Sequence, residues 1–248
     1  HFSKKGKVLL LDLSLEALYE VRDEIETDCD VLKFNITNDD DIQQVANYVK
    51  ENGGFKYLLH YAGVSESMGN SELIYNINLV GTKKLLDALY DYVLPGGVII
   101  NTSSMTGHLT LTTPELDKLL ANPLSENFMS EILKVTPSPT QAYGWSKNGL
   151  MALTRREVGK WALKKARILS ISPGAIKTPM VEKEMEKNRA AIEQLIQTTP
   201  MKRIGLSEDI VNLVDFLISD KASFITGTDI LIDGGATEIF KQYYKQQK

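Results

Sequence analysis

Val98-Ile99-Ile100-Asn101-Thr102-Ser103-Ser104-Met105-Thr106-Gly107 opens as a short apolar run and closes on hydroxyls and a glycine. A run without polar alternation suits a strand covered on both faces, as in a parallel sheet flanked by helices. Comparable runs lie at residues 7–11, 31–34, 57–61, 98–102, 167–171 and 229–232, separated by longer stretches whose apolar residues recur at helical spacing. Strand and helix therefore alternate, and the crossovers dictate parallel pairing. The predicted fold class is α/β, a doubly wound sheet in a single domain over residues 1–248.

Helix starts are readable beside these strands. Ser14 is placed to cap a helix carrying Leu15, Leu18, Val21 and Ile25; Asn38 precedes one carrying Ile42, Val45, Ala46 and Val49. Ser207 is placed to cap another, with Glu208 and Asp209 near its positive end. Residues 108–140 break the rhythm and read as a folded helical insertion, because a structureless loop of that length is unusual. Thr113-Pro114-Glu115 opens its first helix and Pro123 ends it, while residues 124–135 form a second that Pro137 and Pro139 stop.

Composition narrows the function classes. The chain has 248 residues, 43% of them hydrophobic, and a formal charge of −4. That balance disfavours nonspecific binding to nucleic acid or anionic membrane and leaves small molecules as the expected ligands. The single Cys29 forms no internal disulfide and suggests no metal site, so a reducing, cytoplasmic location is expected. No apolar run approaches the about 18 residues that span a bilayer.

In doubly wound sheets ligands bind beyond the carboxyl ends of the strands. Asp12 closes the first strand, where a carboxylate can accept both hydroxyls of an adenosine ribose or simply stand solvated beside the Ser14 cap. Tyr61-Ala62-Gly63 follows the third, as a close backbone approach to a flat ligand or a plain tight turn. Ser103-Ser104-Met105-Thr106-Gly107 follows the fourth, and Pro173-Gly174-Ala175-Ile176-Lys177-Thr178 the fifth. Tyr143 and Lys147 are four residues apart, so on a helix they share one face, and a nearby ammonium would draw the phenol below its usual value of about 10. Tyr244 and Lys248 repeat the spacing in the C-terminal tail, a chance match.

Taken in order, Asn76-Ile77-Asn78-Leu79-Val80-Gly81, Asn101-Thr102-Ser103-Ser104-Met105-Thr106-Gly107, Tyr143-Gly144-Trp145-Ser146-Lys147, Ser172-Pro173-Gly174, and Ile225-Thr226-Gly227 with Asp233-Gly234-Gly235 resemble the motifs of the short-chain dehydrogenase/reductase family. The resemblance runs over essentially the whole chain and implies a Rossmann-type domain that exchanges hydride between nicotinamide and an alcohol or ketone. It implies Tyr143 as catalytic acid/base, Ser104 orienting the substrate oxygen, Lys147 on the nicotinamide ribose and Asn78 completing a proton relay. Asp12, with Leu13 beside it, matches the position that selects NAD over NADP. Asn35 and Ile36 match the adenine contact, Tyr61, Ala62 and Gly63 the turn beside the cofactor, and Pro173, Gly174, Ile176 and Thr178 the stretch holding the carboxamide. No metal is implied.

Two departures stand out. His60 and Tyr61 occupy the place of the family's two asparagines before Ala-Gly. The glycine-rich phosphate loop and the first strand are absent, and Asp12 has only eleven residues before it; the resemblance implies about 25–30 further residues upstream. The step of 39 residues from Ser104 to Tyr143, with 15 from Gly63 to Asn78, resembles the bacterial 3α-hydroxysteroid dehydrogenase/carbonyl reductase subfamily. An apolar alcohol or ketone is then the expected substrate. Residues 180–199, with Met180, Val181, Met185, Ile192, Leu195 and Ile196, are either a substrate lid or an amphipathic helix docked on the core. A homodimer or homotetramer is implied. Reduction of another carbonyl, such as a 3-oxoacyl thioester, a sugar or a xenobiotic, is the alternative, as is a non-catalytic cofactor-binding protein.

Overall fold

In a computed structural model that describes residues 1–178 and 189–246, strands and helices alternate as expected. The strands are β1 (Val8–Asp12), β2 (Cys29–Lys33), β3 (Phe55–His60), β4 (Val93–Thr102), β5 (Arg167–Pro173) and β6 (Asp229–Ile232). The helices are α1 (Leu15–Asp23), α2 (Asp39–Glu51), α3 (Ser71–Tyr75), α4 (Thr82–Leu89), α5 (Met105–Leu109), α6 (Pro114–Leu120), α7 (Phe128–Val135), α8 (Pro139–Leu163), α9 (Arg189–Thr198), α10 (Ser207–Ile218) and α11 (Ala236–Gln246). All strand pairs are parallel. They form two sheets, β1-β2 and β3-β4-β5-β6, where the pattern predicts one. Among the described residues no strand hydrogen-bonds to both β1 and β3.

Both faces of the larger sheet are apolar. Ile99 and Ile168 point to one side, against α3, α6, α7 and α8, where Trp161, Phe128 and Ile132 are buried. Val98, Ile100, Leu169 and Ile171 point to the other, against Val214, Leu217 and Ile218 of α10. Leu9, Leu11 and Leu32 of the smaller sheet pack with α2 and α4, in a cluster that Phe55 and Leu58 of β3 join. Each fully buried aliphatic side chain contributes roughly 1.5–3 kcal/mol, so this two-sided burial holds the strand ends in a fixed arrangement.

Several local expectations are met. Ser14 Oγ accepts from the Ala17 amide at 3.2 Å, and Asn38 Oδ1 accepts from the Asp40 and Asp41 amides at 2.8 and 3.0 Å. Others are corrected. Of the residues expected to face the core from α1, only Leu18 is buried; Leu15 and Val21 are exposed and Ile25 lies past the helix end. Ser207 does not cap α10: it is the first residue of the helix, and the residue ahead of it, Leu206, donates its amide to Asp209 at 2.7 Å while Arg203 clasps the same carboxylate. In the insertion the first helix stops at Leu120, ahead of Pro123, and the second starts at Phe128 rather than at 124. Pro139 stops no helix. It is the first residue of α8, capped by Ser138, where its missing N–H costs nothing.

Candidate active site

Lys147 and Tyr143 lie on α8, and the way α8 meets the end of β4 decides what surrounds them. Ser103 donates to the Lys147 carbonyl at 2.8 Å, and the Lys147 ammonium donates to the Thr102 carbonyl at 2.9 Å. These two bonds fasten strand end to helix. Ser104 follows in extended conformation as the N-cap of α5, its hydroxyl accepting from the Thr106 amide at 3.2 Å. A Cβ on Gly107 would sit 3.0 Å from the Asn148 nitrogen and 3.0 Å from the Lys147 carbonyl carbon. Only glycine lets α5 lie this close to α8, and that closeness sets the Ser104 hydroxyl near enough to the Tyr143 phenol to lower its pKa.

Asn78 ties in a third element. Residues Asn76–Gly81 form a π-turn between α3 and α4. From it the Asn78 amide accepts from the Val64 N–H at 2.8 Å and donates to the Val64 carbonyl at 2.9 Å and to Ser146 Oγ at 3.1 Å. Ser146 donates in turn to the Tyr143 carbonyl at 2.8 Å. The loop after β3, the π-turn and α8 are thus knotted together at one buried amide.

The electrostatics differ from the expectation that Lys147 lowers the Tyr143 pKa. Burial pushes the Tyr143 phenol up from its ordinary value; the Ser104 hydrogen bond pulls it partly back, and Glu66 adds to the rise. Burial also holds the Lys147 ammonium down, to about 8. Its nitrogen is 5.8 Å from the centre of the Tyr143 ring and is directed to the Thr102 carbonyl. Helical spacing brings the two Cα atoms to one face, but it does not aim the tip of a four-carbon chain.

The sites expected for a cofactor fall at the carboxyl ends of the strands. Asp12 and Leu13 are exposed after β1, with Asp12 Oδ1 accepting from the Ser14 amide at 2.9 Å. The Asn35 side chain is occupied closing its own turn, accepting from the Thr37 amide and hydroxyl at 3.0 and 2.8 Å. Ile36 is buried in the core, yet with Thr37, Asn76, Gly81 and Lys84 it borders a cavity of about 270 Å³. Tyr61, Ala62 and Gly63 are exposed, and a Cβ on Gly63 would come within 3.2 Å of both Asn78 Oδ1 and Lys147 Nζ. Pro173 ends β5, Gly174 donates to the Ile232 carbonyl at 2.9 Å, and Ile176 bridges to Gly205 before Thr178. Beyond them a second cavity, of about 280 Å³, runs from Met105 between Ile176, Leu195 and Ile232 to the Arg203–Asp209 pair.

Of the expected lid, Met180, Val181 and Met185 lie outside the described residues, as does Lys248 of the second tyrosine–lysine spacing. Leu195 and Ile196 are half-buried on α9. Ser103, Ser146, Glu66 and Thr82 also take part in the site and are not among the expected residues. Ser103 and Ser146 stood inside quoted motifs as neighbours of the expected residues, and nothing in the pattern distinguished their inward-directed hydroxyls.

Residues 1–113 match the family model described as short chain dehydrogenase, and residues 128–237 the one described as Enoyl-(Acyl carrier protein) reductase. The short-chain dehydrogenase/reductase bsc3 of Alternaria brassicicola is 30% identical over 93% of this chain and 87% of its own. Cyclohexanol dehydrogenase of Acinetobacter sp. strain SE19 is 25% identical over 93% of this chain and 84% of its own. Among solved structures, the 3-alpha-hydroxysteroid dehydrogenase from Pseudomonas sp. B-0831, complexed with NADH, superimposes with a TM-score of 0.74 at 21% identity, covering 96% of this chain and 99% of that one.

Proposed function

This chain belongs to the short-chain dehydrogenase/reductase family, and on that premise we propose that it interconverts a secondary alcohol and a ketone using NAD(H), with Tyr143 as general acid/base. The observation that carries the reading is the convergence of the Ser104 hydroxyl, the Tyr143 phenol, the Lys147 ammonium and the Asn78 amide where β4, α5, α8 and the π-turn meet.

The residues present fit a nicotinamide nucleotide. Glycine at position 63 lets the backbone pass close to Asn78 Oδ1 and Lys147 Nζ, where a Cβ would stand 3.2 Å from each, and the buried Thr102 hydroxyl has no partner among the described residues. Lys147, Tyr143, Tyr61, Ala62, Pro173, Gly174, Ile176 and Thr178 would hold its nicotinamide half; Asp12, Leu13, Asn35 and Ile36 its adenosine half. The bound group supplies or accepts the hydride.

In reduction, negative charge builds on the carbonyl oxygen of the substrate. Ser104 donates a hydrogen bond to that oxygen and Tyr143 Oη delivers the proton, an arrangement that typically contributes about 10²–10⁴-fold. Because burial holds the phenol protonated at neutral pH, the resting enzyme is prepared to donate rather than to accept. Oxidation needs the phenolate and gains as pH rises. Lys147 spends one N–H on the Thr102 carbonyl and keeps two for ribose hydroxyls. Asn78 completes the relay that returns a proton to Tyr143. Asp12 accepts ribose hydroxyls and repels a 2′-phosphate, favouring NAD.

The substrate is an apolar ketone or alcohol, and the cavity that begins at Met105, next to Ser104, supports this. A hydroxysteroid follows from the spacing of the insertion. A smaller cyclic ketone is the second reading: at about 280 Å³ the cavity lies just below the roughly 300–1,000 Å³ usual for ligand sites. One domain over residues 1–248, with the 108–140 insertion and a lid in 180–199, acting in the cytoplasm as a homodimer or homotetramer, completes the reading; among the described residues no helix is long and apolar enough to cross a membrane. Turnover of ketosteroids and of monocyclic ketones with NADH tests it, alongside Tyr143→Phe. That variant is expected to bind NADH and lose turnover by at least about 10²-fold; retained turnover would remove Tyr143 from its role.

A further inference from the structure

The carboxyl end of β3 carries a buried imidazole that the scheme above does not use. His60 is 5% exposed, and its Nε2 lies 2.9 Å from the Thr82 hydroxyl. The same hydroxyl donates to the Asn78 backbone carbonyl at 3.1 Å. A threonine hydroxyl has one hydrogen. With that hydrogen on Asn78, the Thr82 oxygen is an acceptor, and His60 must meet it with a proton on Nε2. Burial, and after it the Lys147 cation, holds the imidazole down at about 4, so a single neutral tautomer serves throughout the neutral range.

Asn78 is the amide that knots the β3 loop, the π-turn and α8, and a π-turn leaves its carbonyls less regularly bonded than an α-helix does. We propose that His60 is a positioning residue which, by donating to Thr82, fixes the Asn78 peptide within the π-turn and so places the Asn78 amide beside Ser146, Tyr143 and Lys147. The chain has this imidazole where the family resemblance leads one to expect an amide. Its reach from β3 to the first turn of α4 is what the longer ring supplies. The inference rests on the proposed roles of Asn78 and Tyr143, and its test separates the two.

Three histidines make the ring nitrogens assignable in the protein without cofactor. Long-range ¹H–¹⁵N spectra, with the set lost in His60→Gln taken as His60, are expected to show the Nε2–H tautomer, unchanged from mildly acidic to mildly alkaline pH. Thr82→Val should shift that set. In turnover, His60→Leu and Thr82→Val are each expected to lose about tenfold in kcat, the equivalent of one buried hydrogen bond, with KM nearly constant. His60→Gln, which keeps an N–H near the same point, should recover most of the loss, and His60→Leu/Thr82→Val should be no worse than either alone. An Nδ1–H tautomer, a glutamine variant as impaired as leucine, or additive losses would overturn the inference. A fully active Tyr143→Phe protein would sink the site reading instead, and if His60→Leu does not fold, the tautomer and the Thr82→Val shift decide alone.

Discussion

Lys147→Met should make the protein more stable while stopping its chemistry. The Lys147 ammonium is 6% exposed and burial holds it at about 8 against an ordinary 10.5. That gap corresponds to roughly 3 kcal/mol of penalty on the charged folded form, at about 1.4 kcal/mol per tenfold change in proton affinity. The sign follows from proton counting. Between about 8 and 10.5 the unfolded chain still holds the proton that the folded chain has released, so unfolding free energy rises with pH across that window. Below it the whole penalty is present. Methionine is one atom shorter and carries no charge, and it gives up the charge-assisted bond to the Thr102 carbonyl, worth about 1.5–3 kcal/mol. A net gain of roughly 1 kcal/mol at neutral pH corresponds to a Tm about 2–4 °C higher for a chain of this size. Calorimetry on both proteins without cofactor, at one protein concentration and a series of pH values, provides the assay. The difference in Tm should be largest near neutrality and shrink as the wild-type lysine deprotonates. A variant less stable than wild type at pH 7, or a Tm difference indifferent to pH from 7 to 10, would refute the reasoning.

Asp12→Ser should raise the relative kcat/KM for NADPH over NADH by about tenfold, as expected for removing one close charge, while leaving kcat with NADH nearly unchanged; steady-state kinetics with both nucleotides checks it. Gly107→Ala forces a methyl to within 3.0 Å of two α8 backbone atoms. It should cost about 1–3 kcal/mol in denaturant unfolding, with kcat falling more than KM changes, because the α5 shift carries Ser104 away from Tyr143.

What the sequence made legible follows from how far a pattern reaches. Strand β6 was bounded to the residue, because an apolar run there ends abruptly at Asp233. β4 starts ahead of the expected 98–102 run, because Gly96 at φ 75° lets the strand continue from Val93 across Pro95-Gly96-Gly97. Parallel pairing and alternation were readable from the order of elements. The family motifs named Ser104, Tyr143, Lys147 and Asn78. They could not show that the Lys147 tip turns to Thr102, nor that Ile36, expected at the adenine, is largely absorbed by the core. Those outcomes depend on side-chain reach and on burial from elements distant in the chain.

The π-turn at Asn76–Gly81 makes the active site sensitive to length as well as to residue identity. One residue fewer in this segment would let α3 and α4 fuse into an unbroken α-helix with better backbone bonding. Each residue of an α-helix turns about 100°, so everything after the deletion would be re-aimed by that angle, carrying Thr82 away from His60. A change that improves the helix as a helix would therefore dismantle the site.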